Sequence, residues 1–220
     1  MILALDTSGE QACGAIVSDI VLGEFTINAH HGTKSWHHSE VLMPAVEFLF
    51  NTTGLSLSMI EYIAVTIGPG SFTGIKIAAA CAMGLARGTG LSIIPVPTLD
   101  AMAENIITYK TIIPMLDARG GQVYSAMYKN GERLTDYIAS NVQDVLEEKT
   151  DIIVLGDGAD AYRDIILELC PMAEFAPIHL NRQRAASVAF WASKHIHLKT
   201  NTIDLIYARE PQAVRAKSGL

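Results

Sequence analysis

The segment GPGSFTGIK, residues 68–76, has the composition of a loop that binds phosphate at the start of a helix. Its glycines let backbone N–H groups approach a ligand, and the helix dipole favours an anion there. The spacing excludes the two common nucleotide motifs. In a P-loop the lysine directly follows the last glycine, but Lys76 lies two residues after Gly74. The dinucleotide fingerprint Gly-x-Gly-x-x-Gly is one residue shorter than the Gly-x-Gly-x-x-x-Gly found here. The segment therefore predicts either an anion site at Gly68, Gly70 and Ser71 or a tight turn between a strand and a helix.

Acidic side chains end two of the predicted strands. Asp6 closes the buried strand ILALD and is followed by Thr7, and Asp117 closes the strand TIIPMLD. A carboxylate at such a position can hold hydrated Mg²⁺ or orient phosphates, although Asp and Thr are also ordinary turn residues. Because each strand precedes a predicted hairpin, the two carboxylates indicate two similar lobes that face a cleft. Asp6 and Thr7 complete the candidate anion site.

A histidine-rich segment precedes the first predicted helix and contains His30, His31, His37 and His38. A helical metal site needs ligands at positions i and i+4, but the residues four positions after the last two histidines are Val41 and Leu42. The segment instead favours capping of the helix, with Glu40 in the first turn. No metal ligand is assigned. No nucleophile motif of the type Gly-x-Ser-x-Gly occurs, so no catalytic residue is assigned either.

Composition limits the class of protein. The 220 residues are 50% apolar and 18% charged, as in globular proteins, and the net charge of −7 argues against binding nucleic acid directly. The three cysteines form no Cys-x-x-Cys pair, which suits a reducing cytosol. The early acid Asp6 argues against a signal peptide, and no apolar run reaches the ~18 residues of a membrane span. We expect a cytoplasmic protein without a membrane segment.

Two predicted helices are apolar on every side. They follow the third and fourth strands of a first half that reads βββαβαβ, and they contain VLMPAVEFLF (residues 41–50) and IKIAAACAMGLAR (residues 75–87). A helix on one face of a sheet should have one polar side. A second cover is therefore needed, either the other lobe or a protein partner, and we favour the partner. The predicted interface residues are Val41, Leu42, Val46, Leu49, Phe50, Lys76, Ala79 and Met83.

Several segments together resemble the bacterial family called TsaB or YeaZ. They are LALDTS, HSEVLMPAVEFLF, YIAVTIGPGSFTGIKIAAACAMGLARG, LDARGGQVY and VLGDG, and they span residues 2 to about 158. The tail segment PQAVRAK is similar to the family's C-terminal Pro-x-x-x-Arg. The resemblance implies the non-catalytic partner subunit that is required for threonylcarbamoyl-adenosine formation on tRNA, beside the anticodon.

The resemblance also implies an α/β fold of two tandem RNase H-like lobes with mixed sheets flanked by helices, as in actin, Hsp70 and sugar kinases. The lobes would span residues 1–100 and 101–204, with the tail of about 205–220 packed back on the first. It implies a catalytic paralogue, TsaD, with a metal on paired helical histidines that this chain lacks, and an ATPase, TsaE. TsaD would bind through the first two helices. We also expect the chain to form a homodimer when TsaD is absent and to contact tRNA only through TsaD. We expect no required cofactor and weak binding of ATP or ADP.

Two other functions remain open from the residues. Asp6 and Asp117 also suit an ATP-dependent small-molecule kinase of the same superfold. The apolar helices also suit a protein that associates with itself through a twofold interface.

Overall fold

The computed structural model describes residues 1–28, 37–147 and 149–208. Within these ranges the chain forms two mixed β-sheets flanked by helices, which confirms the predicted fold class. His30, His31 and the PQAVRAK segment lie outside the described residues. None of the helices in the described ranges is long and apolar enough to cross a membrane.

The first sheet is built from the first half of the chain. Its strands are β1 (Ile2–Asp6), β2 (Gln11–Val17), β3 (Val21–Asn28), β4 (Tyr62–Thr66) and β5 (Ser92–Val96), in the spatial order β3-β2-β1-β4-β5. The first three strands form an antiparallel meander, and β4 and β5 run parallel to β1. Helix α1 (His38–Thr53) leads from β3 to β4, and α2 (Phe72–Thr89) leads from β4 to β5. The predicted order βββαβαβ is therefore confirmed.

Helices α1 and α2 cover one face of this sheet. The inward side of α1 carries Leu42, Val46 and Leu49, at the i, i+4, i+7 spacing that places apolar residues on one face of a helix. The helix α2 ends at Gly90, whose φ of 77° lies in the left-handed region that glycine adopts without strain. Each helix thus has one side that packs against the first sheet, although its segment is apolar on every side.

The second sheet is built from the second half. Its strands are β6 (Thr111–Arg119), β7 (Gln122–Ser125), β8 (Tyr128–Lys129), β9 (Glu132–Arg133), β10 (Ile138–Asn141), β11 (Ile152–Leu155) and β12 (Glu174–Phe175). The main order is β10-β7-β6-β11-β12, with β8 paired to β6 and β9 to β8. The dipeptide Asn130-Gly131 predicts a hairpin turn, and the hairpin between β8 and β9 turns there, with positive φ at both residues.

The helices of the second half differ from the prediction in detail. Helix α3 (Thr98–Ala103), which joins the two sheets, was not predicted. The segment VQDVLEEK predicts a helix, and helix α4 (Val142–Leu146) lies within it. The segment ADAYRDIILEL, residues 159–169, predicts a single helix, but the structure has two, α5 (Asp157–Ala161) and α6 (Arg163–Leu169), because Tyr162 between them has a non-helical φ of −111° and ψ of 24°.

Helix α7 (Ala185–Lys194) returns to the first sheet and covers its second face. Its buried alanines and Val188 pack against Ile2, Ala4 and Ala15. After a short 3-10 helix, Ile196–Leu198, the chain adds a β-bridge between Thr200 and Ile93. The predicted second lobe, 101–204, therefore includes a segment that packs on the first sheet. The return begins with α7, well before position 205, because the small residues of this helix fit closely against the strands.

Candidate functional site

Asp6 and Thr7 lie at the end of β1 and are buried, with Asp6 only 1% exposed. The Oδ1 atom of Asp6 accepts hydrogen bonds from the Ser8 backbone N–H and the Thr66 hydroxyl, both at 2.7 Å. The Thr7 hydroxyl donates to the Gly74 carbonyl oxygen at 2.7 Å. These two side chains therefore tie β1 to β4 and to the first turn of α2.

The glycines of the 68–74 loop are explained by close approach of the backbone. A Cβ atom at Gly74 would fall on the Thr7 carbonyl oxygen, and one at Gly70 would lie 2.5 Å from the Ser8 carbonyl oxygen. Ser71 is exposed, and its hydroxyl accepts the Gly74 N–H at 3.2 Å as the N-cap of α2. The loop is thus the strand-to-helix turn that the sequence left as an alternative to an anion site.

Gly68 has another neighbour. Its φ is 102°, and an added Cβ would meet the Ile206 carbonyl oxygen of the returning chain. The Ile206 N–H donates to the Ile67 carbonyl oxygen at 2.8 Å. The start of the loop is therefore pressed against the segment that returns after α7.

The side chains of the candidate anion site are hydrogen-bonded within the chain. Asp6, Thr7 and Ser71 each direct a side-chain oxygen to a partner within the chain. Two polar side chains beside the loop, Ser8 Oγ and Thr98 Oγ1, have no hydrogen-bond partner among the described residues, and both residues are buried.

Burial raises the pKa of Asp6 above its ordinary value of 3.8, partly offset by the hydrogen bonds from Ser8 and Thr66. A raised pKa in the folded state favours the protonated carboxyl, so this group's contribution to stability is lost as the pH rises from about 3.8 through the folded-state pKa.

We therefore expect Asp6→Asn to gain stability relative to the wild type as the pH rises. The amide oxygen of the introduced side chain would keep the acceptor role towards Ser8 and Thr66, while the titrating charge would be removed. Urea unfolding of both proteins at pH values below and above the ordinary Asp range measures the difference in unfolding free energy. If the difference in unfolding free energy stayed constant with pH, the raised pKa of Asp6 would be contradicted.

Asp117 does not mirror Asp6. It is exposed, its Oδ1 accepts the Arg119 N–H at 2.8 Å and the Tyr162 hydroxyl at 3.3 Å, and its own N–H donates to Asp157. Burial raises the pKa of Asp157. Asp6 is thus buried and Asp117 is exposed to solvent, so the ends of β1 and β6 are not equivalent.

The sequence predicts capping of α1 with Ser39 or His38 near the N-cap, and the structure places the cap one residue before His38. His37 is the N-cap, and its backbone N–H donates to Glu40 Oε2 at 2.9 Å. His38 Nε2 lies 3.2 Å from the Glu10 carbonyl oxygen. Within the described ranges, no three His, Cys, Asp or Glu side chains are grouped so as to hold a metal ion.

An exposed apolar surface lies on α1 and α2, on the sides turned away from the sheet. We call it the outer face and define it by Pro44, Phe48, Phe72, Lys76, Ala80 and Met83, all of which are exposed. Phe48 is 69% exposed and Met83 is 36% exposed. On this face the Lys76 ammonium lies 3.6 Å from the centre of the Phe72 ring, which in turn packs against Tyr207 with centroids 5.3 Å apart. Large exposed apolar residues grouped in this way are typical of protein–protein interfaces.

The outer face only partly coincides with the predicted interface. Lys76 and Met83 are exposed, and Val41 and Phe50 are half-buried. The other four predicted residues, Leu42, Val46, Leu49 and Ala79, are buried. They cannot line a surface contact, because they form the inner side of the two helices against the first sheet.

The predicted interface does not include Pro44, Phe48, Phe72 and Ala80, because their position on the outer face depends on how the helices dock. In α2 the buried positions 74, 75, 78, 79, 82 and 86 lie along one side of the helix, and the exposed positions 72, 76, 80, 83 and 87 lie along the opposite side. A helix that is apolar all round still has an inner and an outer side. The contact of Tyr207 with Phe72 could not be predicted from sequence, because only the tertiary fold brings the two residues together.

Comparisons with known proteins agree with this architecture. A family model described as "TsaD: tRNA N6-adenosine threonylcarbamoyltransferase" matches residues 32–205. The chain is 37% identical over 134 residues to the "tRNA threonylcarbamoyladenosine biosynthesis protein TsaB" of Escherichia coli (strain K12), a match that covers 60% of this chain and 56% of that protein. It is 31% identical over 175 residues to the protein of the same name from Bacillus subtilis (strain 168), covering 75% of this chain and 74% of that protein. The match thus spans little more than half of the Escherichia coli relative and about three quarters of the other.

Solved structures show the same fold. "YeaZ from Pseudomonas aeruginosa" matches with a TM-score of 0.73 and 24% identity, covering 94% of this chain and 98% of that one. An archaeal actin homolog, Ta0583, matches with a TM-score of 0.51 and 8% identity, covering 88% of this chain and 99% of that one.

The two sheets and their flanking helices give this protein an α/β fold of the actin-like type. Within that class, the chain belongs to the TsaB (YeaZ) family, inside the wider group that the TsaD family model describes.

Proposed function

We propose that this protein is a non-catalytic subunit required for the threonylcarbamoyl-adenosine modification of tRNA. Its role would be to bind and activate the catalytic paralogue TsaD, and TsaE would supply the ATPase. Relatives named for threonylcarbamoyladenosine biosynthesis support the process. The observation that carries the mechanism is the outer face, an exposed apolar surface on two rigid helices that suits a protein partner better than a small molecule.

The arrangement around Asp6 supports a role without catalysis. Asp6 and Thr7 are buried and bonded within the chain, so neither side chain is placed to touch a substrate. We propose that the protein needs no cofactor and that any binding of ATP or ADP is weak. The net charge of −7 favours contact with tRNA through the partner and not through this chain. The cytoplasm is the compartment that this role requires.

The outer face also suits a second copy of the chain, so we propose a homodimer in the absence of the partner. A shared surface would make the homodimer and the complex with TsaD mutually exclusive. An ATP-dependent small-molecule kinase gains less support, because it would need Asp6 to face Mg²⁺ or phosphate. A kinase would hydrolyse ATP with Mg²⁺ and lose that activity in Asp6→Asn.

Reconstitution tests the proposed function. Incorporation of labelled threonine into tRNA is measured with TsaD, TsaE, an enzyme that supplies threonylcarbamoyl-adenylate, and ATP, with and without this chain. We expect incorporation to depend on the chain, and the chain alone to hydrolyse no ATP. Equal incorporation without the chain would overturn the proposal, and ATP turnover by the chain alone would favour the kinase.

A further inference from the structure

A cleft of about 1120 Å³ lies at the junction of α3, the segment after it, the β8–β9 hairpin and the end of α7. Small-molecule sites commonly enclose about 300–1,000 Å³, so the cleft is large enough for a small ligand. None of the outer-face residues and none of the residues around Asp6 lines it. It is therefore independent of the proposed function.

Aromatic side chains form much of the wall. Tyr128, Phe190 and Trp191 line the cleft together with His195. The Trp191 and His195 rings are stacked, with centroids 3.8 Å apart and planes 14° from parallel. His195 Nδ1 lies 2.7 Å from the Trp191 carbonyl oxygen and donates to it, because a carbonyl oxygen can only accept. The fixed rings offer faces that attract a cation.

A carboxylate in the same wall is held in place but lacks a cation. Asp100 Oδ1 accepts the hydroxyls of Tyr128 at 2.6 Å and of Tyr137 at 2.8 Å. Burial and the neighbouring Asp100 charge raise the pKa of both phenols, so they remain donors. Among the described residues, no Lys, Arg or His side chain forms an ion pair with Asp100.

The cationic side chains of the wall are already engaged. Lys194 Nζ forms an ion pair with Glu104 at 2.6 Å, and the Arg133 guanidinium lies over the Tyr137 ring at 4.0 Å. Glu132, also in the wall, forms no ion pair with any described residue. Among the described residues, the charges of the wall without an ion-pair partner are thus Asp100, Glu132 and Arg133, and the two carboxylates outnumber the one cation.

We propose that this cleft binds an organic ammonium ion that carries an apolar or aromatic body. The ammonium group would lie against the open oxygen of Asp100, and the body would lie against the aromatic wall. A charge-assisted hydrogen bond to a carboxylate and a contact with aromatic rings are the interactions that together select amines.

Three ligands of matched shape test the proposal by isothermal titration calorimetry with the full chain. Phenethylamine carries the ammonium group, phenethyl alcohol replaces it with a neutral group, and phenylacetate carries a negative charge. We expect phenethylamine alone to bind. Equal binding of the amine and the alcohol would show that the cleft does not select the ammonium group and would overturn the proposal. Preference for phenylacetate would assign it to anions, and no binding by any of the three would also overturn the proposal.

Variants locate the site. Asp100→Asn keeps an oxygen for both tyrosine hydroxyls but removes the charge, so we expect it to weaken phenethylamine binding about tenfold or more. Asp136→Asn is the control, because Asp136 is exposed and does not line the cleft. Should Asp100→Asn fail to fold, Glu132→Gln on the exposed hairpin removes the other unpaired carboxylate of the wall, and we expect it to weaken phenethylamine binding several-fold through the lost attraction. Unchanged amine affinity in folded Asp100→Asn, or in Glu132→Gln in its place, would overturn the proposal.

Discussion

Met83→Arg is expected to weaken binding to TsaD about a hundredfold or more while the free chain stays folded. Met83 lies on the outer face and is 36% exposed in the isolated chain. An arginine at this position can reach solvent in the monomer. In the complex it would be an unpaired charge within an apolar contact, and the cost of its desolvation would not be repaid. The dissociation constant of the purified pair, measured by calorimetry, gives the result.

A matched control separates the interface from a general effect of the added charge. Leu167 in α6 is 37% exposed, nearly the same as Met83, but lies on a helix of the second sheet. Leu167→Arg should leave the affinity for TsaD unchanged. Ala80→Arg, next to Met83 on the outer face, should act as Met83→Arg does. Equal affinities for the wild type, Met83→Arg and Ala80→Arg would exclude the outer face as the contact.

The same surface accounts for the expected homodimer. Light scattering of the chain alone across concentrations should show a dimer that Met83→Arg converts to a monomer. If Met83→Arg abolished binding to TsaD but left the dimer intact, the two assemblies would use different surfaces.

The order of the first half could be predicted from sequence because its strands are short apolar runs separated by turn residues. The strand ILALD, the meander after it and the alternation with two helices follow from composition and spacing. The hairpin at Asn130 and Gly131 could be predicted for the same local reason. Helix α3 was missed because its six residues, TLDAMA, directly follow a strand and carry no helical period that could be recognised.

The sides of α1 and α2 could not be assigned by hydrophobicity alone. Ala79 and Ala80 are chemically identical neighbours, yet one is buried against the sheet and the other is exposed. Only the direction of each side chain on the helix distinguishes them, and this direction depends on how the helix docks. The predicted interface therefore included residues from the inner side of these helices.

The place of α7 required tertiary information. Its segment follows the second sheet in sequence, and its small residues would suit either sheet. Contacts with β1 and β2, which belong to the opposite end of the chain, place it on the first sheet. The buried role of Asp6 was hidden for a similar reason, because its partner Thr66 lies on another strand.

Gly74→Ala is expected to lower the free energy of unfolding by about 3 kcal/mol or more, or to prevent folding. The added Cβ would fall on the Thr7 carbonyl oxygen, and a backbone atom at the end of a central strand cannot move aside. The shift would also break the hydrogen bond from the Thr7 hydroxyl to the Gly74 carbonyl oxygen.

Gly84→Ala is the control in the same helix, because nothing lies within 4 Å of its Cβ position. It should be neutral or stabilise by about 0.5–1 kcal/mol through helix propensity. Urea unfolding of the two variants without any nucleotide tests whether the loop is a packed turn. Gly74→Ala should lose stability without a ligand, and unfolding like the wild type would contradict the close packing at this glycine.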